Sequence, residues 1–268
     1  MKTTLPYNLH SHTKRCGHAY GEDFEYCDAA IKAGFRELGF SDHVMLPGVS
    51  QPGIRAEYTE LGNYLGSVAG LKEAYQDRLL IRAGFEAEWL GEEFADYYRY
   101  LLSREDVDYL ILGQHAFITN KKLVFFSSLD EEEGPRRYAE SLVEGMRSGL
   151  FTLVAHPDYF TPWVDHWDER CAQYAQLIAK TAKEMNLPLE INGSYSRSKP
   201  DVLTDPTSLL TPCPMFWDIV AQYDVDVVIG VDAHSPSHYE VTDYDALVAF
   251  ASAHGLKLLP ESPLSLKK

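Results

Sequence analysis

The sequence contains few cysteines, few cations relative to anions, and no long apolar run. Its four cysteines in 268 residues form no Cys-X-X-Cys pair, which disfavours both a disulfide framework and a zinc knot built from thiolates. The 24 Lys and Arg residues face 40 Asp and Glu, a formal net charge of −16, and such an acidic surface repels nucleic acid and anionic membranes. We therefore expect no nucleic-acid partner. An anionic substrate would need local positive charge, from clustered Arg and Lys or from bound metal cations.

Targeting signals are also missing. The first residues lack the charged start and apolar stretch of a secretory signal, and no run approaches the ~20 apolar residues of a membrane-spanning helix. We expect a soluble cytoplasmic protein that does not bind membranes. Nothing in the composition predicts an oligomeric state.

Short apolar or β-branched runs alternate with helical periodicity along the chain. Strands are predicted over residues 5–9, 36–40, 79–85, 107–112, 151–155, 187–191 and 226–231, with 257–259 as a further candidate. Helices are predicted over residues 23–33, 57–77, 92–103, 135–148, 167–185, 215–223 and 243–254. This repeated order predicts an α/β fold with a parallel sheet, closed into a (β/α) barrel within a single domain, residues 1–268. The long loops 45–55, 119–134 and 194–214 are candidate binding loops.

Seven of the ten histidines stand at or just after the carboxyl ends of predicted strands, where such barrels build their active sites. Each strand end supplies at least one ligand or hydrogen-bonding group. The predicted metal ligands are His10, His12, His18, His43, Glu86, His115, His156, Asp232 and His234, and Asn192 follows the sixth strand. Structural histidines would not be expected to share one topological position, so this pattern predicts a metal site.

Nine ligand-type residues exceed the needs of one ion. Two ions with generous coordination, or three ions sharing Glu86, both fit, and mixed imidazole and carboxylate ligation suits Zn, Fe or Mn. Cys16 is a further candidate ligand because it lies two residues before His18, although an ordinary reduced thiol is the simpler interpretation.

Clustered divalent ions favour hydrolysis of a phosphate ester, because they polarise phosphoryl oxygens and activate water at neutral pH. Metal-dependent amide hydrolysis is the rival chemistry. A binuclear amidohydrolase barrel would carry a histidine after the sixth strand and usually a bridging lysine, whereas this chain has Asn192 there and Glu86 after the third strand.

The motifs HSH, SDH, GFEAEW, LGQHAF, VAHPD, LEINGSYSR and DAHSP, in this order, resemble the polymerase and histidinol phosphatase (PHP) superfamily, and most closely its stand-alone histidinol-phosphate phosphatases. The resemblance runs from His10 to Pro236. It implies a distorted (β/α)7 barrel of TIM-barrel type with a trinuclear metal centre at the C-terminal ends of the strands. The implied ligand sets are His10, His12, Glu86 and Asp232 for one metal, His115 and His156 with bridging Glu86 for a second, and His18, His43 and His234 for a third.

The resemblance also implies a reaction. A small phosphomonoester, L-histidinol phosphate, would be hydrolysed to L-histidinol and phosphate in histidine biosynthesis, by attack of a metal-bridging hydroxide. The alternatives are a PHP-type phosphodiesterase or exonuclease, a phosphotyrosine phosphatase, and a regulatory metal-binding domain without activity.

Substrate contacts are predicted from position in the sequence. Arg197, the only Arg of loop 194–214, is expected to bind phosphate in a bidentate fashion during catalysis, with Lys14, Arg15 and Lys199 as alternatives. Asn192 is expected to bind phosphate or orient a ligand. For the cationic and imidazole end of the substrate and for protonation of the leaving alkoxide, the candidates close to ligands in sequence are Glu88, Phe117, Tyr159 and Asp158, with water as an alternative proton donor.

Overall fold

Eight parallel strands form a curled sheet at the centre of the protein, in the order β1-β2-β3-β4-β7-β8-β9-β10. The structure is a computed structural model that describes residues 5–119 and 122–266. Strands β5 and β6 form a separate antiparallel hairpin. The strand bounds are β1 Tyr7–Asn8, β2 Glu37–His43, β3 Leu80–Ala87, β4 Tyr109–Leu112, β5 Ala116–Thr119, β6 Lys122–Phe125, β7 Leu153–Val154, β8 Leu189–Asn192, β9 Asp226–Gly230 and β10 Lys257–Leu258.

Helices follow most of the parallel strands. Their bounds are α1 Asp23–Ala33, α2 Leu61–Tyr75, α3 Glu92–Leu102, α4 Glu133–Arg147, α5 Glu169–Met185, α6 Ser194–Ser198, α7 Pro214–Val220, α8 His238–Val241, α9 Tyr244–Ala253 and α10 Pro263–Leu266. Local sequence explains several ends: a capping box between Glu22 and Glu25 starts α1, and the side chain of Asp168 accepts from the amide of Cys171 at the start of α5. Every residue of β2, β4 and β8 is buried, as expected for parallel strands covered on both faces.

The sheet closes on itself at the carboxyl ends of its strands. Ser11, just after β1, forms a parallel bridge with Ala233, just after β9, and the amide of His12 donates to the Ala233 carbonyl at 2.8 Å. At the opposite end, β10 pairs with β9, and the Tyr7 hydroxyl donates to the Leu259 carbonyl at 3.1 Å. The barrel is therefore closed where the predicted ligands emerge.

An apolar layer inside the barrel supports that end. Its members come only from the strands and the residues next to them: Tyr7, Leu9, Tyr109, Ile111, Leu153, Ala155, Val228 and Leu259. The Tyr109 hydroxyl donates to the Leu9 carbonyl at 2.6 Å, and its ring lies where Cβ atoms on Gly39 and Gly84 would stand. The two glycines thus make room for the large ring that fills the barrel below the ligands.

The predicted α/β fold with a parallel sheet is confirmed, and the strands and helices lie close to the predicted segments. The candidate strand at 257–259 is confirmed as β10, an eighth parallel strand. The structure adds short helices between the predicted ones and a β5–β6 hairpin whose second strand lies within the segment predicted as loop 119–134. Residues 5–119 and 122–266 contain no helix with the length and apolarity needed to cross a membrane.

Candidate metal centre

The first histidine pair projects into the site because strand geometry alternates its side chains. His10 and His12 lie on one side of the chain after β1, and Ser11 lies on the other, where its hydroxyl contacts the hydroxyl of Tyr239 at 2.5 Å. Both imidazoles are almost completely buried, at 1% and 0% exposure. The small central Ser therefore anchors the segment while both histidines point inward.

Glu86, at the end of β3, lies at the centre of the cluster. Its side chain occupies the space that a Cβ on Gly113 would need, since the Gly113 Cβ would stand 2.0 Å from Glu86 Oε1. Five imidazole nitrogens lie within 3.6 Å of its two oxygens. Oε1 is approached by nitrogens of His10 at 3.6 Å, His115 at 3.6 Å and His156 at 2.8 Å. Oε2 is approached by nitrogens of His12 at 3.4 Å and His43 at 3.0 Å. One carboxylate thus faces histidines from four different strands.

Asp232 contacts two of these histidines, His10 and His12, and also His234. Its Oδ1 lies 3.5 Å from His10 Nε2, 3.3 Å from His12 Nε2 and 3.3 Å from His234 Nδ1. Asp232 and His156 both have positive φ angles, 50° and 30°, which are unfavourable for residues with a side chain. Such backbone strain is concentrated at functional sites, where the surrounding structure has to enforce it.

A third group of ligand atoms surrounds His234. The atoms of His12, His43 and His234 lie within 4.8 Å of one another, and so do those of Cys16, His18 and His234. Cys16 is fully buried, and burial raises the pKa of its thiol to about 12. The structure thus places the predicted ligand His18 beside His234, with Cys16 next to both.

The buried polar atoms of this cluster fit bound cations. Among the described residues, the buried atoms without a hydrogen-bond partner include His10 Nε2, both ring nitrogens of His12, His43 Nδ1 and Asp232 Oδ1. Buried polar atoms are almost always hydrogen-bonded, so several unpartnered atoms converging on one point indicate that something else binds them. Imidazole nitrogens and carboxylate oxygens are the donors that divalent transition metals take.

Buried charge favours the same conclusion. The buried or largely buried carboxylates Asp42, Glu86, Glu190 and Asp232 have no Lys or Arg within 4.0 Å among the ion pairs of the described residues. Isolated buried carboxylates are costly unless cations compensate them. These four carboxylates, without a Lys or Arg partner among the described residues, therefore favour the binding of cations at this end of the barrel.

The pKa shifts record the crowding of charge. Burial of the His10 ring lowers its pKa, but the carboxylates of Glu190, Asp232 and Glu86 outweigh burial and raise the His10 pKa well above its usual value. At His43 burial prevails over the attraction of Glu86 and lowers the pKa to about 3. Neighbouring imidazoles thus differ widely in their affinity for a proton, although all of them lie against the same carboxylate.

Acceptors that the sequence does not predict in this role lie behind the imidazoles. His10 Nδ1 lies 2.9 Å from Glu190 Oε1, and His18 Nδ1 lies 3.0 Å from the Gly53 carbonyl. His115 Nδ1 lies 3.6 Å from Glu88, which forms a fully buried ion pair with Arg55 at 2.7 Å. Glu190 stands in the LEIN motif, in which the sequence predicts a role only for the last residue, Asn192. The contact between Arg55 and Glu88 joins distant segments and has no local sequence signal.

A cavity of about 290 Å³ opens above the cluster. Beyond the ligand-type residues, its described lining consists of Ile54, Phe125, Tyr159, Ser194, Tyr195 and Thr211. None of the described lining residues is Lys or Arg. The wall opposite the ligands is therefore apolar, aromatic and hydroxyl-bearing.

Four predicted substrate contacts lie away from this cavity. Lys14 pairs with Glu22 and Arg15 with Asp23, and all four line a different surface depression. Two further residues are also engaged elsewhere: the ring of Phe117 packs against the guanidinium of Arg137 at 4.7 Å, and Glu88 is occupied by its ion pair. The structure does not bring Lys14, Arg15, Phe117 or Glu88 to the position of a substrate.

Asp158 and Arg197 are also held by protein groups. Asp158 is fully buried, and its Oδ2 accepts from the Cys213 amide at 2.7 Å and the Trp217 indole at 3.2 Å. Burial raises the Asp158 pKa to about 6. The guanidinium of Arg197 donates to the carbonyls of Val231 and Asp232, and neither Asp158 nor Arg197 lines the cavity.

Asn192 orients its neighbours rather than facing the cavity. Its Nδ2 donates to Glu190 at 2.9 Å and to Asp232 Oδ2 at 3.3 Å, and its Oδ1 accepts from the Ser194 amide at 2.9 Å. Of the two roles considered for Asn192, this geometry favours orientation of a ligand.

Comparisons with known proteins are consistent with this architecture. The family model described as "PHP domain" matches residues 8–194. A Deinococcus radiodurans protein named "Probable histidinol-phosphatase" is 30% identical over 248 residues, which are 89% of this chain and 90% of that protein. A histidinol-phosphatase of Bacillus subtilis is 30% identical over 89 residues, 31% of this chain and 33% of that protein.

Solved structures share the fold at low identity. A Lactococcus lactis histidinol phosphate phosphatase complexed with zinc, L-histidinol and phosphate superposes with a TM-score of 0.71 at 16% identity, covering 97% of this chain and 98% of that one. A structure of metal-dependent tyrosine phosphatases from Bacillus subtilis and Streptococcus pneumoniae gives a TM-score of 0.52 at 13% identity, covering 97% and 90%. At these identities, both comparisons show a shared fold only.

Proposed function

The chain belongs to the PHP domain family, and we propose that it is a metal-dependent phosphatase that hydrolyses L-histidinol phosphate to L-histidinol and phosphate, a reaction of histidine biosynthesis. The observation that carries this proposal is the convergence of histidines from four strands on the buried carboxylate of Glu86, beneath an open cavity. The choice of L-histidinol phosphate is supported by the Deinococcus radiodurans relative named "Probable histidinol-phosphatase", which matches 89% of this chain.

Two to three divalent transition metal ions, zinc, iron or manganese, fit the donor set. The residues that would hold them are His10, His12, Glu86 and Asp232, then Glu86 with His115 and His156, and then His18, His43 and His234. When bound, such ions polarise a phosphoryl oxygen and lower the pKa of water. The four carboxylates without a Lys or Arg partner support more than one divalent ion, because a single charge of +2 would balance only two of them.

The remaining walls of the cavity would position the ester. Ile54, Phe125 and Tyr159 offer apolar and aromatic surface for the organic part of the substrate, and Ser194 and Tyr195 offer hydroxyl groups. Burial raises the pKa of Tyr159 to about 12, so its hydroxyl remains a hydrogen-bond donor at neutral pH. Because the described lining contains no Lys or Arg, attraction of the phosphate depends on the cations of the cluster.

Arg197 has a different part in this proposal from the one expected from sequence. Its guanidinium holds two carbonyls of the turn that carries Asp232, so it positions a ligand in the state described here. Binding of phosphate would require the guanidinium to give up those carbonyls.

The test is phosphate release by the metal-loaded protein from a panel of substrates. The panel contains L-histidinol phosphate, an aryl phosphate, a phosphotyrosine peptide and a short oligonucleotide, with Glu86→Gln as the control for contaminating phosphatases. We expect L-histidinol phosphate to have the highest kcat/KM. Preferential cleavage of the peptide or the oligonucleotide would replace the proposed substrate, and equal activity of Glu86→Gln would place the activity outside this site.

A further inference from the structure

Glu190 is a buried carboxylate that the proposed reaction does not use directly. It lies on β8 with 1% exposure, and both of its oxygens approach His10 Nδ1, at 2.9 and 3.1 Å. Its Oε2 also accepts from Asn192 Nδ2 at 2.9 Å and from the backbone amide of His156 at 3.2 Å. Within the described residues its ion-pair contacts involve no Lys or Arg. One carboxylate therefore ties together ligand-bearing segments that follow β1 and β7.

Gly230 makes the space that this carboxylate occupies. A Cβ on Gly230 would stand 1.8 Å from Glu190 Oε1 and 2.3 Å from its Cδ, which no side chain could tolerate. The φ angle of Gly230 lies outside the left-handed region, so its backbone alone would accept alanine. Gly230 is therefore required for close approach rather than for its backbone conformation.

The same construction occurs at the centre of the cluster. Glu86 pairs in register with Ile111, two residues before Gly113, and a Cβ on Gly113 would meet the Glu86 carboxylate. Glu190 pairs with Val228, two residues before Gly230. Glu86 and Glu190 each lie against a glycine that stands two residues beyond their register partner on the neighbouring strand. One of them faces the imidazoles directly, and the other lies behind His10.

We propose that Glu190 is a positioning residue, which accepts a hydrogen bond from the Nδ1 proton of His10 and so leaves the unprotonated Nε2 directed toward Glu86 and Asp232. Gly230 is needed because any larger residue there would occupy the space of the Glu190 carboxylate. The proposal rests on the proposed metal-dependent function. Metal-ligating histidines commonly donate their other ring nitrogen to a carboxylate, which selects the tautomer and increases the basicity of the ligand. The unpartnered Nε2 of His10, 3.6 Å from Glu86 and 3.5 Å from Asp232, is the atom so directed.

The first test measures zinc affinity without substrate, by competition with a chromophoric chelator. Glu190→Gln keeps the size of the side chain and one acceptor oxygen but removes the charge, and Glu190→Leu removes both. We expect the Kd of the most weakly bound zinc ion to rise about 10–100-fold in Glu190→Gln and further in Glu190→Leu. Glu184→Gln, an exposed carboxylate on α5, is the matched control.

The second test reaches Glu190 without changing it. In Gly230→Ala the added methyl has to displace the carboxylate, so we expect the same loss of zinc affinity as in Glu190→Gln. The double variant should be little worse than either single variant, because both changes break one interaction. Gly66→Ala, at a position where a Cβ meets no atom within 4 Å, is the control and should keep wild-type affinity.

Zinc affinities within threefold of wild type in folded Glu190→Gln and Gly230→Ala would overturn the proposal. Should either variant fail to fold by circular dichroism, nitrogen NMR of the zinc-loaded wild type decides: protonation of His10 at Nδ1 supports the proposal, and protonation at Nε2 overturns it. Because these readouts need no substrate, they remain decisive even if the wild type does not hydrolyse L-histidinol phosphate.

Discussion

The Nε2 atoms of His18 and His234 face each other at 3.0 Å, at the mouth of the cluster. Each ring turns its Nδ1 toward a backbone carbonyl: His18 contacts that of Gly53 at 3.0 Å, and His234 that of Asp232 at 3.2 Å. Both imidazoles therefore direct their Nε2 atoms toward the space between the two rings. Imidazole nitrogens in this arrangement are suited to sharing a cation between them.

His18→Ala and His234→Ala should each lose one metal equivalent per chain relative to wild type. The remaining ions should stay bound, since Glu86 and its neighbours are unchanged. Elemental analysis after gel filtration measures the stoichiometry, and His166→Ala, at an exposed position, is the control. Unchanged stoichiometry in both variants would remove these two residues from the ligand set.

Glu86→Gln should lower metal content and kcat more than the loss of any single histidine. Its two oxygens face five imidazoles, so removing the charge leaves neighbouring cations without the anion between them. We expect a loss larger than the roughly 10–100-fold typical of residues that only support a ligand. Elemental analysis and steady-state kinetics on one preparation check this, and full metal content with near-normal kcat would rule out a bridging role.

Arg197→Ala should lower metal content together with kcat. The change removes the donors to the Val231 and Asp232 carbonyls and loosens the turn that carries Asp232. We expect kcat/KM to fall about 10–100-fold, with partial recovery in Arg197→Lys. A raised KM with unchanged metal content would instead show that the guanidinium binds the phosphate.

Arg55→Met should destabilise the protein strongly. It leaves Glu88 buried without its cation, and breaking a buried pair in this way costs about 3–5 kcal/mol. Urea denaturation of the chelator-treated protein gives the free energy of unfolding without a contribution from metal. Arg55→Met/Glu88→Leu should recover part of the loss, and Arg99→Met, at an exposed ion pair, should cost no more than about 1 kcal/mol. A cost below that level for Arg55→Met would show that the buried pair does not stabilise loop 45–55.

Sequence analysis predicts the parallel sheet well because its signals are local. Short apolar strands with His43, Glu86 or His115 at or just after their carboxyl ends can be recognised without knowledge of the fold, and parallel order brings those ends to one edge. The antiparallel pairing of Ala116–Thr119 with Lys122–Phe125 is not predicted from the sequence, because the second of these strands lies within the segment expected to be loop 119–134.

Contacts that depend on distant segments were not predictable in the same way. Glu190 and His10 are 180 residues apart, and Arg55 and Glu88 are 33 apart, so no spacing rule connects either pair. The predicted contact between Arg197 and phosphate rests on its charge and its place in loop 194–214 alone. Only the structure shows that the turn after β9 offers carbonyls within its reach.

The central claim is that phosphate release depends on a cluster of metal ions held around Glu86. The most direct measurement is a titration of metal-free protein with zinc or manganese, in which the rate of phosphate release from L-histidinol phosphate is followed against bound metal per chain. We expect negligible activity without metal and full activity only when two to three equivalents of metal are bound per chain. Full activity in the metal-free protein, or at one equivalent or fewer, would contradict it.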